Sequence, residues 1–457
     1  MKSGKFLIIV TLLAFTVFAL SGCGGSGGGQ QLGYSPDQTN NQTDNQTDNN
    51  TDNQTDTDTD TDTDTDTDTN TDTDNNTTGE SYSATTAGEH AISLSSGSAT
   101  YSNITVTKTG DVSGKDDDYD WKGTNAAILA SGGAVLTING SATKITTNAT
   151  YGNAVFSYGG NNSTSSNNQG DGTTVNISNA TITTSSSNSG GIMTTGGGIM
   201  NASNLTITTS GGSSAAIRSD SGGGTVTVSG GTYSTSGTGS PAVYSTAAIT
   251  ISDADLTASS SQAVVIEGGN SVTLDSCTLN ASHSTLNGQD STHQAVLIYK
   301  SMSKDASSGK STFKMTDGSI TNAQGDIFCV TNTTTEITLS GVTITNNDSS
   351  GNFLRAEAQN WGESNNGGTV TLNASGQDIS GNIIVDSSSS LTLNMTDSST
   401  FSGAVNSSGT GGTVNVTIEA GSTWTLTGNS YVTSITNNGT INRGSYTLYQ
   451  NGTAYTD

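Results

Sequence analysis

Arg218 and Asp220 stand two residues apart in the stretch SAAIRSD (Ser214 to Asp220), in a chain with 13 Lys and Arg against 39 Asp and Glu. An Arg or Lys beside carboxylates is equipment for proton abstraction, the basic side chain taking the proton in its neutral form while carboxylates hold a metal or orient the substrate. Arg355 and Glu357 repeat the pairing. A second constellation lies in GDVSGKDDDYDWKGT (110–124), where Asp116, Asp117, Asp118 and Asp120 precede Trp121. Hard carboxylate oxygens suit Ca²⁺, and an indole face suits a sugar ring. The D-x-D-x-D-G spacing of a calcium loop is missing, so a solvated acidic loop is the competing reading. Trp361 sits in a similar polar insertion, EAQNWGESNNGG (357–368), and His283, Asp290 and His293 share another (283–294). Two histidines with a carboxylate suit metal binding or acid–base work, or are plain loop residues.

These groups need a scaffold, and the scaffold is repetitive. NAAIL (125–129) returns as NAVFS, GGIMT, AAIRS, PAVYS, QAVVI and QAVLI, and then more loosely as DIFCV, NFLRA, NIIVD and GAVNS. The spacing runs from 21 residues (Val243 to Val264) to 37 (Val155 to Ile192), so loops absorb the difference. A second burst such as TVTVS (225–229) and a third such as ATITT (180–184) usually follow. β-branched and polar residues alternate at a period of two, punctuated by Gly, Asn, Asp and Ser. Helical periodicity is absent. Three short strands per repeat and about eleven repeats predict an all-β, right-handed parallel β-helix over 80–422, roughly 50 Å long at the interstrand spacing of a sheet. Residues 423–457 break the repeat and read as a C-terminal cap. An array of Ig-like sandwiches is the alternative, but it needs about 100 residues per unit.

Two columns define the strand faces, because adjacent residues point to opposite sides. The column through Ile217 is aliphatic: Ile128, Val155, Ile192, Val243, Val264, Val296, Ile327, Phe353 and Ile383 align with it. The next column is mixed: Phe156, Met193, Arg218, Tyr244, Val265, Leu297, Phe328, Leu354 and Ile384. An unpaired arginine inside the stack would carry a large desolvation cost, so the Ile217 column is inward and the Arg218 column outward. On this alignment no carboxylate cluster gathers around Arg218, and Arg218→Leu should leave folding nearly unchanged. The outward stripe with Phe156, Tyr244 and Phe328 is either roofed by the insertions as a satellite core or left as an aromatic surface for a ligand.

The N-terminal segment is of another kind. Lys2 and Lys5 precede an apolar run, FLIIVTLLAFTVFAL (6–20), and then LSGC (20–23). This is a signal peptide over 1–22, with Cys23 placed as a lipid acceptor that would anchor the chain to a membrane. Residues 23–79 read as a disordered linker, Gly-rich at first. Between Asp37 and Asp74 it holds thirteen Asp and no Lys or Arg, half of the formal net charge of −26. Mutual repulsion keeps such a chain extended. The acidic balance and the absence of a basic stripe exclude nucleic acid as a partner. Without a C-x-x-C pair, Cys277 and Cys329 read as buried thiols.

The lipobox-like LSGC, the Asp/Thr linker and blocks such as GGTVTVSGGTYSTSGTGSPAVYSTAAITISDADLTASSS (223–261) resemble surface β-helix lipoproteins of gut-type bacteria. The resemblance covers about residues 80–457. It implies a pectate-lyase-like β-helix and an adhesin-like or carbohydrate-binding role at the cell surface; the lack of an aligned carboxylate cluster around Arg218 makes that role non-catalytic. On that expectation polysaccharide or a host or cell-surface glycan is the partner. Trp121, Phe156, Tyr244, Phe328 and Trp361 are then the candidate ligand contacts, and Asp116, Asp117, Asp118 and Asp120 a candidate Ca²⁺ site. A polysaccharide-active lyase or hydrolase and a purely structural surface protein are the alternatives, since a fold does not fix a function.

Overall fold

A computed structural model describes residues 75–161, 169–301, 306–362 and 365–456. The expected signal peptide, Cys23 and nearly all of the linker lie outside the described residues. The chain is a right-handed parallel β-helix: forty strands and one five-residue helix among the described residues. Each turn runs through a short strand of one sheet and then along the other wall. Ile217–Ser219 leads into Gly224–Thr235, and Val243–Ser245 leads into Ala248–Ser252 and Asp255–Ala258. Stacked turns form an eleven-stranded sheet from Ile92–Leu94 to Ile383–Val385, opposed to a 22-stranded one. Two twelve-residue strands, Gly198–Thr209 and Gly224–Thr235, run through the corner that elsewhere splits the long wall into two strands.

The corner has a chemical cause. Asn103, Asn179, Asn204, Asp253, Ser276 and Asp317 occupy it with φ of 50–55°, and Gly140 and Gly230 on turns between them. Asn and Asp enter the left-handed region most readily among residues with a side chain. Gly230 takes the place with φ +67°, where a Cβ would stand 2.6 Å from the Asn204 amide oxygen below. A second corner is held inside the rod by hydroxyls. Thr184, Thr209 and Thr235 donate to the carbonyls of Ser189, Ser214 and Ser240, each at 2.5 Å. The serines in turn form a ladder, Ser189 N to Ser214 Oγ and Ser214 N to Ser240 Oγ, both 2.9 Å. The wall turns tightly there without orphaning its buried backbone amides.

The core is the stacked inward column with its two counterparts on the long wall. Ile192, Ile217, Val243, Val264 and Val296 follow one another in register, each buried. From there the pairing departs from the expected alignment. Val296 pairs with Phe328, Phe328 with Leu354, and Leu354 with Ile383. Phe328 is therefore inward, packed between Phe313 and Phe353 at 5.4 and 5.6 Å, and the expected outward placement is corrected. In DIFCV every residue is buried, so the period-two signal that sets register elsewhere is missing. The outward neighbours of Leu297 are consequently Cys329 and Arg355, which puts Arg355 in the same column as Arg218.

Pairing also runs past both expected boundaries. Asn75–Thr78 already pairs in parallel with Ala99–Ser102. Thr423–Thr425 pairs in parallel with Thr400–Ser402 and Thr440–Asn442, and Trp424 stacks on Phe401 inside the rod. The antiparallel pair Leu448–Gln450 with Thr453–Ala454 breaks the pattern near the C-terminus.

Candidate functional site

The outward face of the eleven-stranded sheet is where the insertions converge. Phe156 and Met193 are buried there with Ala126, partly roofed by residues 110–124. Val265, Leu297, Tyr299 and Cys329 are buried further along, with Tyr244 and Trp361 packed against them. Both patches are satellite cores, so of the two readings of the stripe, the insertions do roof most of it.

The first roof is the helix Asp117–Trp121. Asp116 caps it by accepting from Asp118 N at 3.0 Å, and Asp118 pairs with Lys122 at 2.9 Å. Asp120 points the other way, into the rod surface, and is buried. Its carboxylate lies 3.1 Å from Arg218 Nη2, which also meets Asp220 at 2.7 Å. Carboxylates do gather around Arg218, contrary to the expectation: one comes from two residues along, just past the end of its strand, the other from an insertion that strand alignment cannot place. Arg218 is 3 % exposed. Burial pulls its pKa down, but Asp120 and Asp220 outweigh that and hold it above the ordinary arginine value. A guanidinium so held is no Brønsted base. Burial raises the Asp120 pKa, with Arg218 opposing. The four aspartates of the expected Ca²⁺ site thus divide between a cap (Asp116), an exposed first-turn position (Asp117), a surface ion pair (Asp118) and a buried ion pair (Asp120); no group of three or more potential metal ligands converges among the described residues.

The second roof is made of two insertions laced together. Gln359 donates to Thr292 Oγ1 (2.9 Å), Asn360 to Ser291 Oγ (3.2 Å), and Trp361 Nε1 to Asp290 Oδ1 (3.2 Å). Arg355 fastens the base of this lacing to Asp326 (2.5 Å) and Glu357 (3.0 Å). Asp290 also accepts from Gln262 Nε2 at 2.7 Å and lies 3.6 Å from His283 Nε2; the His283 ring meets His293 edge-on at 5.1 Å. Burial pushes the Asp290 carboxyl up to about 7. Burial, aided by His293, pushes His283 down to about 4.

Beside the second roof a cleft of about 70 Å³ stays open. Arg218, Tyr244, Tyr299, Asn287, Gly288 and Trp361 line it, with Ser213, Ala215, Gly239 and Pro241 at its edge. Trp361 and Tyr299 meet at 4.4 Å between ring centres. Gly288, at φ +57°, lies under the indole, where a Cβ would come within 3.0 Å of it. Behind the aromatic wall Tyr244 and Tyr299 both donate to Glu267, Tyr299 at 3.0 Å, and Ser301 donates to the same carboxylate through its hydroxyl and its backbone N–H.

Of the expected ligand contacts, Tyr244 and Trp361 come together in the cleft, Phe156 lies in a satellite core, Phe328 in the main core, and Trp121 outside the cleft lining. Tyr299, Asn287 and Glu267 were not singled out from the sequence. Tyr299 and Glu267 carried a usable signal, since both fall two places after the Arg218 column, on the same outward parity. No family model, curated protein or solved structure matches the chain.

Proposed function

We propose that the chain is a non-catalytic, lipid-anchored bacterial surface protein, adhesin-like, whose β-helix binds glycan in the cleft between Arg218 and Trp361. The observation that carries this reading is the lining: Tyr244 and Trp361, backed by the buried Tyr299, supply ring surface for the apolar face of a sugar, beside the polar groups of Arg218, Ser213 and Asn287. Sites for small polar ligands combine apolar walls with a few placed polar groups in this way. The charged groups around the cleft support binding over chemistry. Arg218 is neutralised by two carboxylates, Glu267 accepts from two phenols and a serine, and Asp290 from an indole and an amide. Each is spent on holding the wall. The LSGC sequence at Cys23 supports the anchor, and the acidic linker supports presentation away from the membrane.

A glycan array probed with the full chain in detergent tests the reading, with products assayed on the same spots. Binding without cleavage is the expected result. Release of unsaturated or reducing ends would replace it with an enzymatic role, and silence in both would favour a structural one. Cys23→Ala should release the protein from the membrane fraction; retention would remove the lipid anchor.

A further inference from the structure

Resting on the glycan reading, we infer that the cleft takes the end of a glycan chain, one sugar unit deep, and that the turn 287–290 sets this limit. The turn closes on itself, Asp290 N donating to Asn287 O at 3.1 Å. It belongs to the insertion before Gln294–Tyr299, yet it reaches back to the turn before Val243–Ser245, past the intervening strand Val264–Glu267. There the Asn287 amide lies against Gly239, where a Cβ would fall 2.5 Å from Nδ2. On the other side Gly288 lies against the Trp361 indole, where a Cβ would fall 3.0 Å from the ring, and Trp361 Nε1 donates to Asp290 Oδ1 at 3.2 Å. Gly239 and Gly288 have φ of +63° and +57°, a region that glycine enters without steric cost. Gly239, Asn287, Gly288 and Trp361 thus make one continuous strap along the cleft, facing Tyr244 and Tyr299 on the sheet.

Strap and sheet enclose about 70 Å³, the room of roughly half a dozen waters, which one pyranose ring with its hydroxyls fills and two linked rings exceed. The ring has Tyr244 and Trp361 to lie against, both of them partly exposed, and the half-buried Asn287 amide beside it for its hydroxyls. A chain threaded through the cleft would have to lift the Asn287 amide from Gly239 or pull the indole from Asp290. A chain end has to move neither. The strap therefore works as a stop, and the units beyond the first stay in solvent.

Calorimetric titration of the full chain in detergent tests the inference, with gluco-, galacto- and manno-oligosaccharide series running from monosaccharide to hexasaccharide. In a series that binds, affinity should level off by the disaccharide, because further units gain no contact. Trp361→Ala should weaken every member by about tenfold or more, the scale of a lost aromatic anchor. Gly288→Ala, which drives a Cβ against the same indole, gives a second readout should the Trp361 variant melt early. Asn287→Ala opens the strap at Gly239, and affinity should then climb severalfold beyond the disaccharide. Affinity that rises steadily to the hexasaccharide in the parent overturns chain-end selection and leaves the glycan reading standing. A series as flat in Asn287→Ala as in the parent overturns the strap as its cause. Unchanged binding by well-folded Trp361→Ala or Gly288→Ala variants overturns the placement in this cleft. No binding in any series removes the glycan reading itself, and the inference with it.

Discussion

Asp120 reaches Arg218 at 3.1 Å, both side chains buried, and by doing so fastens the 110–124 insertion to the wall of the rod. With Asp220 it makes a charged triad of one cation and two anions. Breaking a buried pair leaves an uncompensated charge, which costs about 3–5 kcal/mol, whereas a well-packed apolar replacement of the whole set is near neutral. Arg218→Leu should therefore lower stability by roughly that amount, reversing the tolerance expected for an outward position. Adding Asp120→Leu and Asp220→Asn should restore most of the loss, a coupling that urea melts of the single and combined variants will measure. Additive losses would show that the triad is not a unit.

Asp290 and His283 make stability depend on pH in opposite senses. The Asp290 pKa is raised from 3.8 to about 7, so its contribution is full below the unfolded value and is lost as pH climbs through 7. The His283 pKa is lowered from 6.5 to about 4, so its contribution is full above 6.5 and is lost as pH falls towards 4. Between pH 4 and 7 the two oppose each other. Asp290→Asn keeps an oxygen for Trp361 Nε1 and removes the carboxyl titration. Relative to the parent, the variant should gain stability from pH 4 to 7.5, by an amount on the order of a few kcal/mol. A difference between the two proteins that stays flat across that range would rule out a carboxyl buried at the base of Trp361.

The rod was legible in the sequence because its signal is local. An Ile or Val at most inward steps and an Asn, Asp, Ser or Gly at the left-handed corners recur whatever the loops between them do. The expected inward column is correct from Ile128 to Val296, where apolar and polar residues alternate clearly enough to set one register. It fails at DIFCV, where both parities are apolar. The cleft was less legible for a different reason. Tyr244 could be placed on the outward face from its column, but its partners Trp361 and Asn287 come from insertions with no period. Asp120 approaches Arg218 by the same kind of route. Contacts of that sort are set by how two insertions dock, and nothing in strand alignment encodes it.

The register at DIFCV has its own test. Phe328 is fully buried against Phe313 and Phe353, while its neighbour Cys329 faces outward into the satellite core. Truncating a core phenylalanine costs about 3–5 kcal/mol, well above the cost of deleting a small group from a satellite cluster. Phe328→Ala should lose roughly that much, and Cys329→Ala much less. If the two costs came out reversed, the inward and outward faces of this strand would have to be exchanged.

The serine ladder makes the last prediction. Ser214 Oγ accepts from Ser189 N at 2.9 Å and donates to the carbonyls of Gly212 (3.0 Å) and Ser186 (3.1 Å), all within the turn where the chain bends back towards the eleven-stranded sheet. Ser214→Ala fits the space but strands the buried Ser189 amide, and an unsatisfied buried donor costs about 1–3 kcal/mol. The same kind of change at Thr208, exposed on the outer face of the long wall, should stay within about 0.5 kcal/mol. Amide exchange separates local from global loss. In the Ser214 variant, the Ser189 amide and its neighbours in that corner should lose protection before the flanking strands do, because each rung leans only on the ones above and below it. Uniform loss of protection along the rod would mean that the corner hydroxyls hold the whole solenoid together, and not one turn at a time.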